Sequence, residues 1–108
     1  MRFYDTHAHF DVLEAGQTVD VMTRAEEAGV WRVVAVGGSA ELNAAATAVA
    51  QEYPQHVRLA LGFDRDQAQQ ASPSVFCDVL RQLKETLSLV AVGETGLDFH
   101  YHPETADA

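Results

Sequence analysis

Phe3-Tyr4-Asp5-Thr6-His7-Ala8-His9-Phe10-Asp11 opens the chain as a short strand that runs out into two histidines one residue apart. In an extended strand alternate side chains share a face. A strand over 2–6 therefore sets Phe3 and Asp5 on one side and Tyr4 and Thr6 on the other, and His7 and His9 leave its end pointing the same way. Two imidazoles so placed can grip one metal ion, and imidazole suits zinc, manganese, iron and related divalent ions. Taken alone, a His-x-His is equally compatible with loop or core histidines. A carboxylate brought near by folding would complete or bridge a metal cluster, and Val92-Gly93-Glu94, far downstream, offers one.

Working outward, apolar residues recur at helical spacing over 18–28 (Val19, Met22, Ala25, Ala28), with Asp20, Arg24 and Glu27 toward water. Thr18 is the expected N-cap and Gly29 the stop. Val30-Trp31-Arg32-Val33-Val34-Ala35-Val36 is β-branched and nearly all apolar, the pattern of a strand buried on both faces, and Gly37-Gly38 ends it. Ser39 is placed to cap a second helix over 40–53, alanine-rich (Leu42, Ala45, Ala46, Val49, Ala50) and stopped by Pro54. Val57-Arg58-Leu59-Ala60-Leu61-Gly62 reads as a third strand, followed by a polar loop over 63–71. Ser72-Pro73 pairs a capping residue with a proline at the first helical position. The helix it starts carries an apolar stripe of Val75, Phe76, Val79, Leu80, Leu83 and Leu87, and ends at 86 or 87. Leu89-Val90-Ala91-Val92-Gly93-Glu94 is a fourth strand ending in the carboxylate.

Strand-helix alternation of this kind implies an α/β fold with parallel strands and right-handed crossovers. In such sheets chemistry gathers at the carboxyl ends of the strands, where His7, His9 and Glu94 all fall. The tail over 95–108 is polar and ends without a cap, a strand or a helix, as a chain halted in mid-loop would.

The chain has 108 residues, the size of one domain, and 47% of them are apolar, so a real core is expected. Sixteen acidic against seven basic side chains give a formal charge of -9, with no Lys/Arg cluster of the kind that grips a phosphate backbone non-specifically. If nucleic acid is the substrate, bound metal must hold much of the phosphate. The single cysteine, Cys77, excludes an intrachain disulfide and is expected to pack as a small hydrophobe on its helix. Neither a signal-peptide h-region nor a run approaching the roughly 18 apolar residues of a membrane helix is visible, so the expected location is a reducing cytoplasm.

Four segments in register carry a resemblance: Asp5-Thr6-His7-Ala8-His9-Phe10-Asp11, Val36-Gly37, Ala60-Leu61-Gly62, and Val92-Gly93-Glu94-Thr95-Gly96-Leu97-Asp98-Phe99. Together they resemble the TatD family of metal-dependent deoxyribonucleases, within the amidohydrolase-type TIM barrels, over essentially the whole chain. The His-x-His is shared with many barrel hydrolases; the Gly-Glu-x-Gly-Leu-Asp segment at this distance is the specific part. The resemblance implies a (β/α)8 barrel with a two-metal site for phosphodiester hydrolysis of DNA. In it His7 and His9 bind one metal and Glu94 bridges both, the ions being Mg²⁺ or Mn²⁺, with Zn²⁺ as an alternative. The family's other ligands, two histidines and an aspartate, come from later strands. A barrel takes about 250 residues, so residues 1–108 are read as its N-terminal half, one incomplete domain.

One departure stands on the third strand. Where the family has Gly-x-His-Pro, this chain reads Gly62-Phe63-Asp64-Arg65, and a carboxylate there would repel a phosphate unless a metal or Arg65 intervenes. The plainer expectation is a loop variant with its polar groups in solvent. Asp11 and Asp98 are expected to bond loop backbone or to orient a ligand histidine. His100 and His102 form a second His-x-His, beside Pro103, read as exposed loop side chains; His56, at a helix-to-strand junction, is read as structural. Gly37-Gly38-Ser39 offers a weak phosphate cradle at a helix start.

Two further readings compete with a hydrolase. The chain could be a catalytically inactive half-barrel or interaction module that binds metal weakly and self-associates through its exposed edges into a homo-oligomer. Or it could be a flavodoxin-like nucleotide-binding domain using Gly37-Gly38-Ser39, with the histidines incidental.

Overall fold

The computed structural model describes residues 1–14, 16–68, 72–86, 88–96, 98–101 and 103. Four strands, β1 (Phe3–Ala8), β2 (Val30–Val36), β3 (Val57–Phe63) and β4 (Leu89–Thr95), alternate with helices α1 (Gln17–Glu27), α2 (Ala40–Glu52), the single-turn α3 (Arg65–Ala68) and α4 (Pro73–Glu85). All pairings are parallel and the sheet order is β1-β2-β3-β4. Each strand is laid beside the one before it without reversal, as in the first half of a (β/α)8 barrel. A flavodoxin-like sheet places its first strand between the second and third, so that reading is overturned by the strand order.

The core lies between the outer face of β2 and β3 and helix α2. Val33, Ala35, Val57, Leu59 and Leu61 meet Ala46, Val49, Ala50 and Phe10 there, every one of them buried. Alternation along the strands supplies the pattern, and small alanines on α2 let the helix approach closely. Leu59 and Leu61 are no more than 1% exposed, and each contributes roughly 1.5–3 kcal/mol by burial.

The helix signals hold with local corrections. Ser39 accepts from the Leu42 N–H at 3.2 Å and Ser72 from the Val75 N–H at 3.5 Å, as their sequence positions predict. Gly29 stops α1 at φ 86°, with its carbonyl accepting from the Phe3 N–H. Thr18, however, is not the N-cap of α1. The cap lies two residues earlier, at Gly16, because Gln17 and Glu14 bond each other: the Gln17 side-chain carbonyl accepts from the Glu14 N–H at 2.9 Å, and the Glu14 carbonyl accepts from the Gln17 N–H at 3.0 Å.

Burial departs from expectation at two places. In β2, Val33, Ala35 and Val36 are buried, but Trp31 is exposed near the strand's start, with the guanidinium groups of Arg2 and Arg32 over its ring. In α4, no residue is buried. Leu83 packs against the core, while Val75, Phe76 and Leu80 are exposed. Cys77 is exposed too, so it does not pack as a core hydrophobe. Among the described residues nothing covers the far side of α4. Leu87, the last residue of the expected stripe, lies outside the described residues. No described helix is long and apolar enough to cross a membrane.

Candidate metal centre

β1 runs two residues further than the sequence pattern predicts, so His7 is its penultimate residue and His9 follows just past its end. Pairing with β2 shifts register between Asp5 and Ala8. In that interval the Asp5 carboxylate accepts from the His7 N–H at 3.0 Å. The two imidazoles leave the strand together, ring centres 4.9 Å apart and edge to face, with their Nε2 atoms 3.1 Å apart.

Glu94 comes from β4, three strands away. In a flat sheet neighbouring strands are about 4.8 Å apart, which sets β1 and β4 about 14 Å from each other. Yet the Glu94 Oε2 lies 3.4 Å from His7 Nε2 and 3.7 Å from His9 Nε2. The three side chains meet because the sheet curls and they stand on its concave side. Among the described residues they form a group of metal-ligating side chains whose donor atoms all lie within 4.8 Å of one another.

These separations suit a shared cation. With bonds of about 2.1 Å, neighbouring donors are about 3.0 Å apart around an octahedral ion and about 3.4 Å apart around a tetrahedral one. The three distances of 3.1, 3.4 and 3.7 Å scatter about that interval. The tautomer also suits. His9 Nδ1 lies 3.0 Å from the Val36 carbonyl oxygen, an acceptor, so Nδ1 carries the proton and Nε2 keeps its lone pair toward the cluster. The side chains of His7 and Glu94 are 55% and 40% exposed, leaving the cluster open to a ligand.

Backbone contacts fix the carboxylate from below. The Glu94 N–H donates to the Gly37 carbonyl at 3.1 Å, and the Gly93–Glu94 peptide, which is cis, lies directly over Gly62. Asn43 of α2 is 1% exposed and grips Gly62 at both ends, donating to its carbonyl at 3.1 Å and accepting from its N–H at 3.3 Å. Sequence reading passed over this residue. An asparagine three residues before Ala46, on the face that goes on to Val49 and Ala50, is a polar group at a core position, and that was the available signal.

The other singled-out residues do not join the cluster. Asp64 is half-buried and not simply solvated: its Oδ1 accepts from the N–H groups of Asp66 and Gln67, both at 2.9 Å, capping α3 inside the expected loop. Asp98 is 6% exposed. Its Oδ1 accepts from the N–H groups of His100 and Tyr101, and its Oδ2 pairs with Arg65 Nε at 3.1 Å, joining the start of α3 to the segment after β4. Asp11 and His100 are exposed, and His102 lies outside the described residues. His56 sits at the opposite end of the strands, its Nδ1 3.3 Å from the Trp31 carbonyl. The Gly37 N–H donates to the Ala60 carbonyl, the Gly38 carbonyl accepts from the Asp64 N–H, and the Ser39 hydroxyl donates to Glu41.

A family model described as TatD related DNase matches residues 4–108. The chain is 39% identical over 80 residues to the 3'-5' ssDNA/RNA exonuclease TatD of Yersinia pseudotuberculosis serotype O:3, a match covering 74% of this chain and 30% of that protein. It is 38% identical over 104 residues to the uncharacterized metal-dependent hydrolase YjjV of Escherichia coli K12, covering 90% of this chain and 38% of the relative. The matched region thus spans about a third of each relative's length.

Proposed function

The chain belongs to the TatD related DNase family, and on that premise we propose that it forms the first half of a metal-dependent phosphodiesterase barrel, with His7, His9 and Glu94 as ligands at its centre. The observation that most supports this is the convergence of those three side chains, from opposite edges of the sheet, to within 4.8 Å at the carboxyl ends of the strands. His7 and His9 would hold one divalent ion, and Glu94 would be shared between that ion and a second. Mg²⁺ or Mn²⁺ are the favoured ions, and a two-histidine, one-carboxylate set also accepts Zn²⁺. When bound, such ions polarise a scissile phosphate and lower the pKa of an attacking water.

The chain's own groups then have distinct tasks. The Val36 carbonyl holds His9 in the tautomer that presents Nε2. The backbone seat at Gly37 and Gly62 fixes where the Glu94 carboxylate stands. The site's openness leaves room for an extended strand of nucleic acid, and DNA is the proposed substrate, in line with the exonuclease named among the relatives. With a formal charge of -9 and no basic cluster, the chain offers little non-specific attraction to phosphates, so phosphate must be held chiefly at the metal site.

A test is Mn²⁺- or Mg²⁺-dependent hydrolysis of single-stranded DNA by the full-length gene product. Turnover is expected to vanish on chelation and to fall at least about 10³-fold, some 4 kcal/mol, in Glu94→Ala, while residues 1–108 alone show little or none. Cleavage by residues 1–108 that survives both chelation and Glu94→Ala would overturn the proposal.

One observation favours a second reading. Val90 and Val92 of β4 are 57% and 64% exposed, an apolar strand surface awaiting cover. In the proposed barrel later strands cover it; in an inactive half-barrel a second copy would. Sedimentation of residues 1–108 as a dimer lacking metal affinity would favour the latter.

A further inference from the structure

We propose that Asn43 is a positioning residue for the metal centre: through Gly37 and Gly62 it sets where the Glu94 carboxylate stands. This rests on the reading of Glu94 as a ligand. The Glu94 backbone is held at two points, and both lead back to Asn43. At the first, the Glu94 N–H donates to the Gly37 carbonyl at 3.1 Å. Gly37 in turn lies against Asn43 so closely that a Cβ there would run into the Asn43 amide and come within 3.1 Å of its Cα. At the second, Gly62 lies under the Gly93–Glu94 peptide. A Cβ at Gly62 would stand 2.5 Å from the Glu94 carbonyl oxygen and from the Gly93 carbonyl carbon, closer than real Cβ contacts allow.

Asn43 fixes Gly62 in the plane of the sheet and along the strand, because its amide bonds both the N–H and the carbonyl of that one residue, at 3.3 and 3.1 Å. The grip is made by a side chain 1% exposed, so water cannot substitute for it, and a buried amide with both ends satisfied holds a single geometry. The side chain is also anchored at its root: the Asn43 N–H donates to the Ser39 carbonyl at 2.8 Å, in the first turn of a capped helix. The same stretch of chain serves the histidines, since the Val36 carbonyl that orients His9 precedes Gly37. A buried helix residue far from the metal ligands in sequence thereby holds the level of the carboxylate relative to the imidazoles. An apolar residue of similar volume would fill the core without doing so.

The experiment is Mn²⁺ affinity, read from the free-ion electron paramagnetic resonance signal, in the full-length protein for the parent, Asn43→Ala, Glu94→Ala and the double variant. Loss of a group that orients a ligand costs about 10- to 100-fold in metal affinity. Asn43→Ala is expected to weaken Mn²⁺ binding by that factor while folded, and to cause no additional loss in the Glu94→Ala background. Ala46→Gly, equally buried on the same helix, is expected to lower stability and leave Mn²⁺ affinity unchanged. If Asn43→Ala does not fold, Gly62→Ala disturbs the same seat from the strand side, with the same expected loss and the same disappearance beside Glu94→Ala. Parent-like affinity in the folded Asn43 or Gly62 variant, or a loss that adds in full to that of Glu94→Ala, overturns the proposal. Parent-like affinity in Glu94→Ala itself overturns the ligand reading beneath it, whatever happens at Asn43.

Discussion

β3 and β4 are neighbours of equal length in one parallel sheet, yet they live in different environments. In β3, Val57, Leu59, Ala60 and Leu61 are all buried, held between β2, β4 and helix α2. In β4, Val90 and Val92 are mostly exposed, and helix α4, which precedes it in the chain, has no fully buried residue. The difference separates two jobs. The centre, β2-α2-β3, supplies stability and a fixed reference frame. The proposed metal ligands belong to the two edges, where His7, His9 and Glu94 stand partly in solvent. Edge groups of this kind can be held accurately only if the centre reaches out to them, which here it does through the Val36 and Gly37 carbonyls and the Gly62 seat.

The sharpest way to break this division is to truncate matched side chains on the two strands. Leu61→Ala is expected to cost about 2–5 kcal/mol, because a fully buried leucine leaves a cavity. Val92→Ala on β4 is expected to change stability by no more than about 0.5 kcal/mol, since the side chain is 64% exposed. Urea unfolding of both variants of residues 1–108, in which Val92 is uncovered, checks the contrast, and comparable losses at the two sites would refute it.

Glycines make a second, smaller contrast. Gly62→Ala forces the Gly93–Glu94 backbone to move, for about 1–3 kcal/mol, whereas at Gly96 a Cβ meets nothing within 4 Å and alanine should be near neutral. Thermal melts distinguish them. The smallest expected effect compares two caps: Ser39→Ala, losing a 3.2 Å bond at the start of the central helix, should cost about 1 kcal/mol, and Ser72→Ala, at 3.5 Å on the exposed α4, less than half of that. Equal losses would mean that α4 is as firmly held as α2.

Much of this arrangement is legible in the sequence because it repeats. The alternating or continuous apolar runs of the strands, the Ser39 and Ser72-Pro73 starts and the Gly29 stop are local patterns, and local physics realises them. The pairing of His7 and His9 with Glu94 is legible too, since strand ends in an αβ alternation collect on one side. What was hidden depends on single contacts. Asp64 turns four residues of the expected loop into α3 by accepting two N–H groups, and no periodicity announces a helix that short. The apolar stripe of α4 correctly marks a helix, but a stripe says which face seeks cover and not whether anything in the chain provides it. Asn43 and the Arg65–Asp98 pair each join residues distant in sequence, visible only when the sheet has curled.

Whether His7, His9 and Glu94 share a metal ion, as proposed, is measured most directly by anomalous scattering at the manganese edge from crystals of the protein grown with MnCl₂. The expected result is a peak about 2.1–2.2 Å from the Nε2 atoms of His7 and His9 and from a Glu94 carboxylate oxygen. A protein that takes up Mn²⁺ at another site, with these three side chains bonded only to one another, would contradict it.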